Sequence, residues 1–401
     1  MNAKRMKKTI ALLLTLVLIL SACSDDGFYY GKRGDYDQFT DSAAAREYII
    51  VLNEGNWQSD NGKLSLIKDH QIFNNWFRGV NGFKIGDTPE DIIYIPEKDM
   101  VAISVNWSNI IYYMNRDGKV LAQTEDIPNC RAMCSDGTYI YITSYAHQTA
   151  LGESYKRGYV AKVRLSDYKI VKTCEVGYEP EGIAYYNGKL FVANTGGYAF
   201  AENHEYEHSV SVLDTTMVVD TIVDIRNKAG EFVINLYGEM SQSGEYICIN
   251  SPGDYYDTPP STIIFNCRDL SYLVYDSIPA TYNTTLLSGK FFVVGSTFSY
   301  YTGGYSYNIA TIDPVTGLKY DNLYELPNGS MIPTPLDIIK TMQNPYCVYQ
   351  NPYTGHLYIA DADTYASDGY IVELDEDGFQ VGRRLRCYIN PGHMLALPPR
   401  K

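Results

Sequence analysis

The chain lacks an apolar run long enough to cross a bilayer: Thr9 to Leu20 spans about a dozen residues, where a membrane helix needs about 20. It has no G-x-S-x-G elbow and no G-x-x-x-x-G-K-[ST] stretch, so no motif supplies a hydrolase nucleophile or a phosphate-cradling loop. None of its 8 cysteines form a C-x-x-C pair. Basic charge is scarce, with 33 Lys and Arg against 47 Asp and Glu and a net charge of −14. Such a surface repels nucleic acid and anionic headgroups, which excludes both as partners.

What the chain has in abundance is one repeated unit, clearest from Glu179 to Asp214. Pro180-Glu181-Gly182 opens it, Ile183 to Tyr186 form a short strand, Asn187-Gly188 turn the chain, and Leu190 to Asn194 run back. After a polar and aromatic loop, Ser209 to Leu213 alternate as a third strand, and Thr216 to Ile225 supply a fourth. The turn and second strand recur at Asp136–Thr143, Ser243–Asn250, Ser288–Val294 and Thr354–Asp361. Starts near Pro89, Pro128, Pro180, Leu236, Pro279, Pro345 and Pro391 give a period of roughly 40 to 60 residues, that of a propeller blade. The final repeat has only one strand, Pro391 to Leu397, while Tyr48–Asn53, Lys63–Lys68 and Gln71–Phe77 read as a blade lacking its first. The expected fold is therefore all-β, a seven-bladed β-propeller closed by pairing the C-terminal strand with the N-terminal strands, which leaves no long sheet edge exposed.

The chain divides into three parts. Residues 1–22 read as a lipoprotein signal peptide, with a basic start at Lys4, Arg5, Lys7 and Lys8 and a short apolar stretch. Leu20-Ser21-Ala22-Cys23 matches the bacterial lipobox, which makes Cys23 the expected lipidation site and residues 23–46 a lipidated flexible tether. Residues 47–401 are the propeller. Removal of the signal leaves 29 basic against 47 acidic side chains, a net charge of −18. The remaining cysteines read as core thiols, with one disulfide, Cys130 to Cys174, left open.

In a propeller the loops joining strands two and three, and those joining strand four to the next blade, emerge on the same face. Here they carry Trp57, Trp107, Tyr145, Tyr198, Phe200, Tyr255, Tyr256, Tyr301, Tyr305 and Tyr365, out of 38 Tyr overall. Tyr and Trp give large contact area at low entropic cost while keeping a polar handle, so this face reads as a ligand-binding surface. Asn194, Asn250 and Asp361, at the ends of second strands, are candidate polar partners. Asp87, Glu90, Glu181, Asn344 and Asn390 lie at the blade junctions, where turn capping is an equal reading. His204-Glu205-Tyr206-Glu207-His208 satisfies H-E-x-x-H, yet it sits between two strands; without a helix to align the histidines it reads as a loop, and no metal is expected.

Leu52-Asn53-Glu54-Gly55-Asn56-Trp57, the stretch from Asn344 to Gly378, and Ile389-Asn390-Pro391-Gly392-His393 resemble the YncE-like propeller lipoproteins of Bacteroidetes. Ser24-Asp25-Asp26-Gly27 is similar to the acidic signal that sends such lipoproteins to the cell exterior. Within that family the BtuG-type members capture cobalamin (vitamin B12) and sit as a lid on a TonB-dependent outer-membrane transporter. The resemblance thus implies a lipid-anchored protein of the outer membrane, facing outward, with cobalamin or a related bulky molecule as transported ligand and no catalytic cofactor. Two other readings stand beside it. One is a hydrolase or lyase of the propeller-lactonase type, with Glu181, Asn194 and Asn250 standing in for the Glu, Asn and Asp those enzymes place round a central metal. The other is a protein-binding scaffold.

Overall fold

The structure, a computed structural model, describes residues 28–29, 48–148, 156–197, 199, 204–238, 240–276, 282–299, 304–333 and 336–400. Among the described residues, seven sheets of four or five strands surround a central axis, and Leu323–Glu325 pairs with Met331–Pro333 as a separate two-stranded sheet. Blade 1 runs Pro89–Ile95, Met100–Val105, Ile110–Asn115 and Val120–Thr124. Blade 2 begins at Cys130–Ser135, blade 3 at Pro180–Tyr186, blade 4 at Ser241–Ser243, blade 5 at Tyr282–Thr285 and blade 6 at Pro345–Gln350. Blade 7 joins the two ends of the chain: Pro391–Ala396 pairs antiparallel with Ile49–Asn53, which is followed by Lys63–Lys68 and Gln71–Phe73.

The packing explains why so many strands read as continuous apolar runs. Among the described residues, seven buried apolar clusters occur, each shared by two neighbouring blades. In Ile49–Asn53, Ile50 and Leu52 face blade 1 while Ile49 and Val51 face blade 6, and all four are fully buried. A strand with a neighbouring sheet on each side has no polar face, so alternation by two becomes alternation between two cores.

One local expectation is corrected, and two further features add to the outline. The fourth strand of blade 7 stops at Phe73, because residues Trp76–Asn81 form a helix that buries Trp76 and Phe77; Gly82 ends it in the left-handed conformation. Trp76 lies over Gly118, whose φ is +81°, at a point where a Cβ would come within 2.6 Å of the indole. Within the expected tether, Phe28–Tyr29 pairs in parallel with Arg384–Leu385 as a fifth strand of blade 6. Cys130 and Cys174 occupy the innermost and outermost strands of blade 2, about 14 Å apart at the usual strand spacing, too far for a bond. All seven described cysteines are thiols. Residues 1–22, Cys23, the other tether residues, Tyr198, Phe200, Tyr301 and the side chain of Tyr305 lie outside what is described.

Deleting residues 391–401 removes the first strand of blade 7, with buried Met394 and Leu397 worth about 2 kcal/mol each, and uncovers Ile49–Asn53. The expected outcome is loss of a single cooperative melting transition and appearance of aggregates by size-exclusion chromatography.

Candidate functional site

The chain enters each first strand at the face that carries the two-to-three loops, and five of the seven blades have the same irregularity there. In blade 1 Glu90 is the extra residue between Pro89 and Asp91; in blade 6 it is Tyr346, and in blade 7 it is Gly392. Blades 2 and 3 place Arg131-Ala132 and Glu181-Gly182 opposite a single partner residue. A bulge bends its strand and re-aims a side chain. Repeated around the ring, it gathers Glu90, Arg131, Glu181 and Tyr346 against a common cavity of about 500 Å³ on the axis. Gly392 leaves room for a visitor: a Cβ there would lie 1.9 Å from Oε1 of Glu54, which reaches in from the loop after Ile49–Asn53.

The polar groups engage one another closely. Arg131 donates from Nε to Oε2 of Glu181 at 2.9 Å and from Nη2 to Oε1 at 2.6 Å, and its Nη2 also lies 2.7 Å from Oε1 of Glu90. Tyr145 donates its hydroxyl to Glu181, and Tyr346 donates to Oε2 of Glu54 at 2.6 Å. Burial pushes the Glu54 carboxyl up to about 7 and that of Glu90 well above the usual carboxylate range. Burial also raises Asp91 to about 6, against two backbone N–H groups that favour its charged form. His393, on the same wall, is driven down to about 4 by burial and by the Arg131 charge, so its ring is neutral at pH 7. Burial would lower Arg131, but Glu181 and Glu90 offset it and hold the guanidinium charged. Near pH 7 the floor therefore holds the Arg131–Glu181 ion pair, a Glu54 carboxyl close to half protonation, a mostly ionised Asp91, phenols and a neutral imidazole. It offers both hydrogen-bond donors and acceptors.

The mouth is aromatic. Trp57, 58% exposed, packs edge-on against half-buried Trp107 with ring centroids 5.2 Å apart, and both line the cavity. Tyr255, Tyr256 and Tyr365 are exposed in loops of the same face, Tyr365 edge-on to Tyr346 at 5.7 Å. Tyr145 is turned inward and only 2% exposed.

The polar candidates behave differently from the rings. Asn194 accepts from the backbone of Gly177 and donates to Ser209 and Ser211, while Asp361 accepts from the backbone of Gln343 and Asn344. Asn250 is 1% exposed at the equivalent strand end. Asn194 and Asp361 tie a blade junction to the neighbouring strand end; neither they nor Asn250 line the cavity, so Glu181, Asn194 and Asn250 are not gathered there as a lactonase-like trio. The H-E-x-x-H residues are separated as well, but not by solvent. His204 is stacked on Tyr178 at 4.7 Å and bonded to buried Glu179 at 2.9 Å, whereas His208 packs on Phe232 with Asp224 nearby. Glu54, Arg131 and Tyr346 were not singled out from sequence; aligning the second residue of each first strand, in register with Glu90 and Glu181, picks out Arg131 and Tyr346.

No family model matches the chain, and no curated protein matches it. Solved structures do. A candidate 6-phosphogluconolactonase of Bacteroides uniformis superposes with a TM-score of 0.58 at 10% identity, covering 88% of this chain and 100% of its own. A candidate 6-phosphogluconolactonase of Bacteroides fragilis gives 0.54 at 11%, over 88% and 98%. A quinoprotein alcohol dehydrogenase-like protein of Bacteroides thetaiotaomicron gives 0.55 at 11%, over 87% and 78%. The chain shares the propeller fold with these proteins, and identities this low show the fold alone.

Because Glu54 titrates near 7 when folded and near 4.5 when free, its burial favours the folded state at low pH and that advantage fades as pH rises through 7. Urea unfolding at pH 5 and pH 8 is expected to show lower stability at pH 8. Glu54→Gln should shrink the difference by about 2 kcal/mol, leaving the part due to Glu90 and Asp91.

Proposed function

We propose that this chain is a surface lipoprotein that captures a bulky, largely neutral molecule rich in amide or hydroxyl groups and passes it to a TonB-dependent outer-membrane transporter. Cobalamin is the ligand that the resemblance to BtuG-type proteins suggests. The observation that carries the reading is the Trp57–Trp107 pair standing open at the lip of the axial cavity. Large rings held in solvent on a turn-rich face gain most by covering an apolar ligand, and the polar floor below supplies orientation. Cobalamin is too large for about 500 Å³, so it would lie across the mouth and send a peripheral amide toward Glu54 and Tyr346. The mixed donors and acceptors of the floor suit an amide, which needs both.

A second reading, hydrolysis of a lactone or similar ester, draws on Glu54 itself. A carboxyl near 7 beside a tyrosine hydroxyl is suited to general-base work, and two of the structural neighbours are candidate lactonases. A phosphorylated lactone fits poorly, however. Arg131 is the one Lys or Arg among the described lining residues, and its donors are committed to Glu181 and Glu90.

Isothermal titration of the purified protein with cyanocobalamin distinguishes these readings. Saturable one-to-one binding is expected, weakened at least tenfold (about 1.4 kcal/mol) by Trp57→Ala and by Trp107→Ala. Absence of heat at micromolar protein removes cobalamin. Lactone hydrolysis above background that is lost in Glu54→Gln would establish the second reading.

A further inference from the structure

On the face opposite the cavity, where the one-to-two and three-to-four turns lie, three side chains converge across the boundary between blades 6 and 7. Glu373, in the third strand of blade 6, is 1% exposed. Its Oε1 sits 2.7 Å from Nδ1 of His356, 2.9 Å from Nδ1 of His70 and 3.0 Å from the hydroxyl of Tyr358, while its buried Oε2 has no hydrogen-bond partner. His356 belongs to the first turn of blade 6; His70 belongs to the last turn of blade 7, and the two rings lie nearly parallel with centroids 6.1 Å apart.

We propose that His70, His356 and Glu373 form a binding site for a divalent transition metal, with zinc the ion its ligands suit best. Two imidazole nitrogens and one carboxylate are a borderline-soft set that favours zinc over calcium or magnesium, which take oxygen ligands. The three ligand atoms lie within 4.8 Å of one another, so small ring movements bring them round one ion. Two further features fit. Nε2 of His356 is 3.0 Å from Oε2 of Glu376, the outer carboxylate contact that orients a metal-bound histidine and leaves Nδ1 for the metal. His70 and its neighbour Asp69 both hold positive φ, +58° and +50°, in a two-residue turn where glycine or asparagine is the usual choice. That strained turn is what delivers the blade 7 imidazole to Glu373. An ion there would bridge the closing blade to the blade before it, with water in the fourth position on the exposed His70 side.

Isothermal titration of the EDTA-stripped full chain with zinc chloride is expected to give one saturable site, and zinc in excess should raise the melting temperature, as binding to the folded state alone requires. His70→Ala, in an exposed turn, should leave the zinc-free melting temperature in place and weaken zinc at least about tenfold. Glu373→Gln should weaken zinc likewise, and calcium or magnesium should not compete. Absence of saturable zinc binding to the unmodified protein would overturn the proposal, as would full zinc affinity in His70→Ala, which would assign the heat to other surface groups.

Discussion

Antiparallel hydrogen bonds between Ile49–Asn53 and Pro391–Ala396 tie the two ends of the chain into one sheet. Each of the other sheets has two apolar faces and needs a neighbour on both. Seven interfaces serve seven sheets only if the ring is shut; with one pairing open, the faces that hold Ile50 and Leu52, or Ile49 and Val51, would stand in water. The stability of a distant blade is thus coupled to a contact between residues more than 300 positions apart in the chain. Early pairing of the ends is also costly in loop entropy, which makes closure a late event of folding.

The axial cavity follows from the same ring. Seven inner strands converge on an axis where the sheets cannot all meet, and the bulges in five of them turn what would be ladder positions into inward-facing ones. Charge is then managed locally. Arg131 is shared by Glu181 and Glu90, and the carboxyls it cannot serve fully, such as Glu54, retain protons nearer to neutral pH. A strongly acidic chain thereby keeps protons on part of its pocket's carboxyl groups near neutral pH.

The architecture was largely legible in the sequence, because blade number, ring closure and the shared loop face all follow from turn signals and repeat spacing. The short helix at Trp76–Asn81 was not: Trp76 and Phe77 carry the apolar signal of a strand, and only their burial against Gly118 and blade 1 distinguishes the two. Half of the site was legible too. Trp57, Trp107, Tyr255, Tyr256 and Tyr365 sit on the expected face because ring-bearing loops have few other places to go. Asn194 and Asp361 are engaged at blade junctions, whose demand for capping groups selects the same residue types as a polar ligand does. Arg131 and Glu54 gave little signal, since a bulge is a property of paired strands and neither partner strand can be inferred from the residue alone.

One consequence concerns timing. Glu54 comes from the beginning of the folded part, while Tyr346 and the gap above Gly392 come from its end. A polypeptide is made from its first residues onward, so for most of its synthesis the acidic group has neither its phenol nor its niche. The axial pocket therefore stays incomplete until the last segment has been added, and no half-made chain can offer it.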